Sequence, residues 1–160
     1  PDHCVDRSPG WNNPSALVVD THADYWLFKG TDLFRDSYSA FMDNDKKTST
    51  ALHGYLQSKN IKDVVVVGLV LNVCVKYTAL DALAKGYRVF IASDATVPTQ
   101  PELEEAAVAE LKEAGVRFGS AESYIRSPKD AFACTGGVAS IASGFGVLVT
   151  AVTMSIAYLS

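Results

Sequence analysis

The sequence predicts an α/β fold, a parallel sheet flanked by helices. Four consecutive valines at 64–67 follow Asp63 with no polar break, as in a strand buried on both faces. From Val75 the period changes, and Val75, Ala79, Ala82 and Leu83 recur at helical spacing before Gly86. Elsewhere short apolar runs alternate with helical patterns over short connections, which calls for right-handed crossovers and parallel pairing.

Taken in order, residues 1–14 (PDHCVDRSPGWNNP) read as loop, rich in Pro, Gly and Asn. His3 sits there beside Cys4, and one adjacent pair does not make a metal site without ligands from elsewhere. Residues 16–20 (ALVVD) are expected as a strand, and 25–28 as a short aromatic strand ending at Lys29 and Gly30. Lys29 either carries its charge to water or is held near a site, where an ammonium lowers a neighbouring thiol's pKa. Residues 36–44 (DSYSAFMDN) show no period. Tyr38 and Phe41 there either line a pocket or pack the loop onto the core.

Residues 48–58 are expected as a helix, with Leu52 and Leu56 four apart, Ser49 or Thr50 as cap and His53 on the outer face. The central strand–turn–helix follows. Cys74 falls where the helix begins, and unpaired N–H groups and the helix dipole there favour a thiolate. A lone Cys in an apolar stretch is otherwise a small core residue. Its place beyond the carboxyl end of a strand is where open α/β sheets hold their sites. Residues 88–93 (RVFIAS) are a strand, 101–115 a helix with early Pro, acidic first turn and closing Gly115. Residues 116–118 are an edge strand and 120–125 a last helical turn.

The tail differs. Residues 135–160 carry no charge, and 136–159 as a helix would span roughly 36 Å, enough for a bilayer core of about 30 Å. Gly136, Ser140 and Gly144 put small residues on one face. The expected division is a domain at 1–130 and an apolar tail at 131–160, membrane-spanning, packed on the domain, or an aberrant terminus.

The chain has 160 residues, enough for one domain with a real core. A net charge of -4 without a basic block excludes nucleic acid as a partner. Three widely spaced cysteines do not form a secreted disulfide framework, so a cytoplasmic protein is expected, or one anchored to a membrane by the tail. The sequence begins with Pro and shows no signal-like segment, so a piece of a longer product is expected.

Residues 68–95 (GLVLNVCVKYTALDALAKGYRVFIASDA) resemble the core signature of nicotinamidases within the isochorismatase-like hydrolases. PDHC, the KG at Lys29 and DSYSAF are similar to three further family segments, in the family's order. The resemblance covers about residues 1–125 and implies the isochorismatase-like three-layer fold, without its N-terminal strand and metal-ligand segment. It implies Cys74 as nucleophile, Lys29 as catalytic lysine and His3 as one ligand of a divalent metal, zinc by resemblance. It also implies a cis peptide between Leu69 and Val70, an oxyanion hole from the N–H groups of Val70 and Cys74, and Tyr38 and Phe41 near the substrate.

The family's catalytic Asp and its other metal ligands come from upstream segments that this sequence lacks. Asn72 and Val73 replace the acid and aromatic usual before the Cys. The activity implied is hydrolysis of nicotinamide to nicotinate and ammonia through a cysteine thioester, in NAD salvage, by an enzyme that could form homo-oligomers. This chain alone is expected to be inactive or nearly so. The rivals are a related amidase acting on another small amide, and an incomplete piece serving as a binding or membrane-tethered module.

Overall fold

A computed structural model describes residues 25–132 except 33, the backbone of strand 147–152, and positions 8, 9, 12, 15 and 16. Its centre is a four-stranded parallel sheet of order β3-β2-β1-β4. Strand β1 (Asp63–Leu69) carries the valines and lies between β2 (Arg88–Val97) and β4 (Val147–Val152). Strand β3 (Arg117–Gly119) is the edge beside β2.

Both faces of the sheet are covered, as the unbroken valine run requires. Val64 and Val66 point with Val89 and Ile91 into one cluster, shared with Leu71, Val75, Ala79, Ala82 and Leu111. These come from a turn at Leu71–Val75, helix α2 (Lys76–Ala84) and helix α3 (Glu104–Glu113). Helix α1 (Leu52–Ser58) adds Leu52 and Leu56 to the same cluster. Val65 faces the other way and packs with Phe90, Ala92, Tyr124 and Phe132. Tyr124 belongs to helix α4 (Ala121–Arg126), and the short helix α5 (Pro128–Ala131) follows. Fully burying each such Val, Leu, Ile or Phe is worth about 1.5–3 kcal/mol.

The ends of elements follow local chemistry. Gly86 (φ 86°) and Gly115 (φ 102°) close α2 and α3 in the left-handed region, where a side chain would be strained. Thr50 Oγ1 accepts the N–H of Leu52 at 3.2 Å, which starts α1 later than the expected residue 48. Ser120 caps α4 by accepting the N–H of Ser123 at 3.0 Å. Strand β2 runs on to Val97, past the expected residue 93, because Gly68 and Leu69 pair with Thr96 and Val97 after a register shift.

Two expectations change. Residues 25–28 are not a strand. Tyr25 instead stacks on Tyr55 of α1 at 3.8 Å, and Trp26 is half exposed. His53 does not point outward to water: its Nδ1 lies 2.9 Å from the Tyr87 hydroxyl, and its ring meets that ring edge-on. In the tail, where the alternatives were left open, Val147–Val152 is a strand paired with β1. VLVTAV is rich in β-branched residues, which suit a pleated ladder. Residues 17–20, Cys4, Cys134 and the rest of the tail lie outside the described residues. Among the described residues, no helix is long and apolar enough to cross a membrane.

Candidate active site

The site forms where β1 ends. The peptide bond between Leu69 and Val70 is cis, and the chain then enters a π-helical turn at Leu71–Val75. The Val70 carbonyl accepts two N–H groups, from Val73 at 3.1 Å and from Val75 at 3.2 Å. Single π turns of this kind recur at functional positions because they re-aim one side chain within a helix. Here the turn carries Cys74, whose side chain is buried with 1% exposure.

The loop 36–44 is fastened against this turn. Thr78 lies four residues beyond Cys74, and its buried Oγ1 accepts the N–H of Ala40 at 3.0 Å. The Ala40 carbonyl accepts the Thr50 hydroxyl at 2.6 Å. Within the loop, Ser39 Oγ accepts the N–H of Phe41 at 3.1 Å. Asn44 closes the loop, donating its N–H to the Asp36 carbonyl at 2.9 Å and accepting the Tyr38 N–H at 3.1 Å. The Ser37 carbonyl is thereby fixed, and it accepts a hydrogen bond from Lys29 Nζ. Lys29 is buried, 6% exposed, so its charge does not reach water.

Cys74 and Lys29 feel each other's charge. Burial pushes the Cys74 thiol up to about 11, and the Lys29 ammonium pulls it back only in part. Burial lowers the Lys29 pKa, while Cys74 and then Asp43 oppose that fall. The expectation of a thiolate set by the helix start is therefore corrected. In this arrangement desolvation of the sulfur outweighs every favourable charge near it. The thiol is the resting form at neutral pH.

The other expected residues fall in different places. Phe41 lies in the main core cluster, stacked near Tyr87 at 6.0 Å, which is the loop-packing alternative. Tyr38 is half-buried and tilts against Tyr77 at 5.5 Å. Asn72 Oδ1 accepts the N–H of Thr99 at 2.8 Å, and its Nδ2 donates to the Thr99 hydroxyl at 3.0 Å. That pair ties the segment after β2 to the Cys74 turn. His3 lies outside the described residues. Among the described residues, no group of three His, Cys, Asp or Glu side chains could hold a metal ion.

Sequence reasoning missed Asp43 and Thr78. Asp43 is 5% exposed, and an acid that deep is a signal only once burial is known. Thr78 looked like one more polar residue on a helix.

A protein-family model described as Isochorismatase domain matches residues 3–123. The nicotinamidase of Escherichia coli is 38% identical over 117 residues, which are 72% of this chain and 54% of that protein. Among solved structures, PnC1 from L. infantum in complex with nicotinate superposes with a TM-score of 0.72 at 34% identity, covering 77% of this chain and 61% of that one. A pyrazinamidase of Pyrococcus horikoshii in complex with zinc gives 0.63 at 34% identity, over 75% and 62%. The chain spans about half the length of the curated relatives it matches.

Proposed function

From the premise that this chain belongs to the isochorismatase domain family, we propose that it is the nucleophile-bearing part of an amidohydrolase that converts nicotinamide to nicotinate and ammonia. The observation that carries the reading is that Cys74, buried in the turn after β1, and the buried Lys29 feel each other's charge. A carboxamide needs a strong nucleophile, and a thiolate serves only if the protein offsets its charge. Lys29, fixed by the Ser37 carbonyl, supplies that offset.

In the reaction, Cys74 loses its proton and its sulfur attacks the carboxamide carbon. The N–H groups of Val70 and Cys74 are the proposed donors to the tetrahedral oxyanion, and such donors act most strongly where water is excluded. The C–N bond breaks, the nitrogen takes up the proton, and ammonia leaves. Water then cleaves the thioester, releasing nicotinate and restoring the thiol. The acceptor for the first proton is the strand-borne Asp that the resemblance places upstream. No step is derived through a metal. A place in NAD salvage follows from the substrate.

The neutral Cys74 thiol favours a second statement: the 160-residue chain alone turns over slowly or not at all. Ammonia release from nicotinamide tests both. The chain is compared with a form carrying the upstream Asp-bearing segment of a nicotinamidase relative ahead of Pro1. The extended form should release ammonia and lose that activity in Cys74→Ala. The chain alone should be slower by 100-fold or more, about 2.7 kcal/mol in barrier. An extended form that is inert, or one that prefers another small amide, would overturn the nicotinamide reading.

A further inference from the structure

The turn that carries Cys74 is tied down on both sides of the sulfur. After Cys74, Lys76 Nζ meets Glu110 Oε2 at 2.9 Å and Thr78 Oγ1 holds the Ala40 N–H, so the start of α2 is fixed to α3 and to the loop 36–44. Before Cys74, the tie is Asn72. Its Oδ1 accepts the Thr99 N–H at 2.8 Å and the Thr99 hydroxyl at 3.3 Å, and its Nδ2 donates to that hydroxyl at 3.0 Å. An amide held at both its oxygen and its nitrogen keeps one orientation, where a single bond would let it swing.

Thr99 is a firm partner. Val97, two residues before it, pairs with Leu69 on the sheet. Pro98 and Pro101 bracket it, each with its own φ locked, and Gln100 before Pro101 is extended at φ −145°, ψ 137°. The two strands therefore leave the sheet side by side at Leu69 and Val97 and are stitched again at Asn72 and Thr99. Cys74 lies two residues beyond that stitch, at 1% exposure. The turn's own bonds are the two from the Val73 and Val75 N–H groups to the Val70 carbonyl. A π turn is less favoured than an α turn, so an outside tether bears on its shape.

We propose that Asn72 is a positioning residue for the proposed reaction: clasped to Thr99, it holds the π turn closed so that the Cys74 sulfur is aimed at the substrate carbon and kept from bulk water. It acts through the turn and not on the substrate. Misplacing a reacting atom by about 1 Å costs on the order of 100-fold in rate, so the tether is where that position is kept. The inference rests on Cys74 being the nucleophile of the proposed function, but half of its test needs no turnover.

The first arm is alkylation of Cys74 by iodoacetamide in the chain alone at pH 7, read by mass spectrometry of its peptide. Asn72→Ala should speed it by about threefold or more, because a loosened turn uncovers the sulfur. Asn72→Asp keeps the acceptor and should not exceed the wild-type rate. Ser120→Ala, which uncaps α4 on the other face of the sheet, should leave the rate unchanged, so that lost stability alone does not explain the gain. The second arm is nicotinamide turnover by the extended form. There Asn72→Ala should lower kcat by about tenfold or more with KM changed less than about twofold, and Asn72→Asp should recover most of it. One variant thus reacts faster with the alkylating agent and slower with substrate, which a merely structural role does not produce. If Asn72→Ala fails to fold, Thr99→Val decides: it strips the hydroxyl, keeps the N–H, and should move both readouts the same way by a smaller factor. Wild-type alkylation in the folded variant, a gain shared by Ser120→Ala, or Asn72→Asp alkylating as fast as Asn72→Ala would overturn the proposal. An extended wild type that does not hydrolyse nicotinamide would sink the proposed function and leave the alkylation arm to decide the clasp.

Discussion

Cys74 and Lys29 are both buried, and each shifts the other's ionisation: the ammonium pulls the thiol down and the sulfur pulls the ammonium up. The π turn aims Cys74, Thr78 fastens the loop 36–44 to α2, and that loop's Ser37 carbonyl receives Lys29. Burial still has the larger effect on the sulfur, which leaves a protonated nucleophile waiting for a base.

The first prediction concerns that thiol. With a pKa of about 11, roughly one molecule in ten thousand carries the thiolate at pH 7. Iodoacetamide should therefore alkylate Cys74 slowly at neutral pH. The rate should climb about tenfold per pH unit and level off near 11. Lys29→Met should push the curve to higher pH still. A plateau below pH 8, read by mass spectrometry of the Cys74 peptide, would show the sulfur ionised after all.

Stability should carry the same signature. Folding raises the Cys74 pKa from 9.0 to about 11. The unfolded chain therefore ionises first as pH rises. The contribution of the protonated thiol is fully present below pH 9 and is lost as pH climbs through 11. Its upper bound is about 3 kcal/mol, at about 1.4 kcal/mol per unit. Urea midpoints measured at pH 8 and pH 11 should fall further for the wild type than for Cys74→Ser. Equal falls would mean the sulfur is not desolvated.

The link between loop and helix can be cut at one atom. Thr78→Val leaves the buried Ala40 N–H without its acceptor, at a cost of about 1–3 kcal/mol. Thr78→Ser keeps the oxygen and should cost less than half as much. Urea denaturation separates the two, and equal losses would assign the effect to packing.

Asn72 should behave differently from a residue chosen for charge. Asn72→Ala removes the side-chain bonds to Thr99 and should cost about 0.5–1.5 kcal/mol. Asn72→Asp keeps an acceptor for the Thr99 N–H, and the Thr99 hydroxyl can turn to donate. It should be close to neutral by thermal melting at pH 7.

The legible part of the fold was the part written in runs and periods. Val64, Val65 and Val66 announced a strand with two buried faces, and Gly86 and Gly115 announced the ends of α2 and α3. Residues 25–28 misled because an aromatic run satisfies the strand pattern, while Tyr25 is held by stacking on Tyr55. Val147–Val152 was left open, since an uncharged stretch has the length for a helix while its β-branched residues suit a ladder. Motif resemblance named Cys74 and Lys29, but not the depth of either. The pKa of a thiol depends on how much protein lies over it, and no spacing of letters records that. Asp43 was hidden for the same reason.

The central claim is that the Cys74 sulfur forms the acyl intermediate under the influence of Lys29. Acid-quenched single turnovers of the extended form with labelled nicotinamide, followed by peptide mapping, test it most directly. The account predicts a nicotinoyl group on the peptide containing Cys74, reduced at least tenfold in Lys29→Met and absent in Cys74→Ser. Ammonia release at the wild-type rate with no label on that peptide, or with Cys74→Ser fully active, would contradict it.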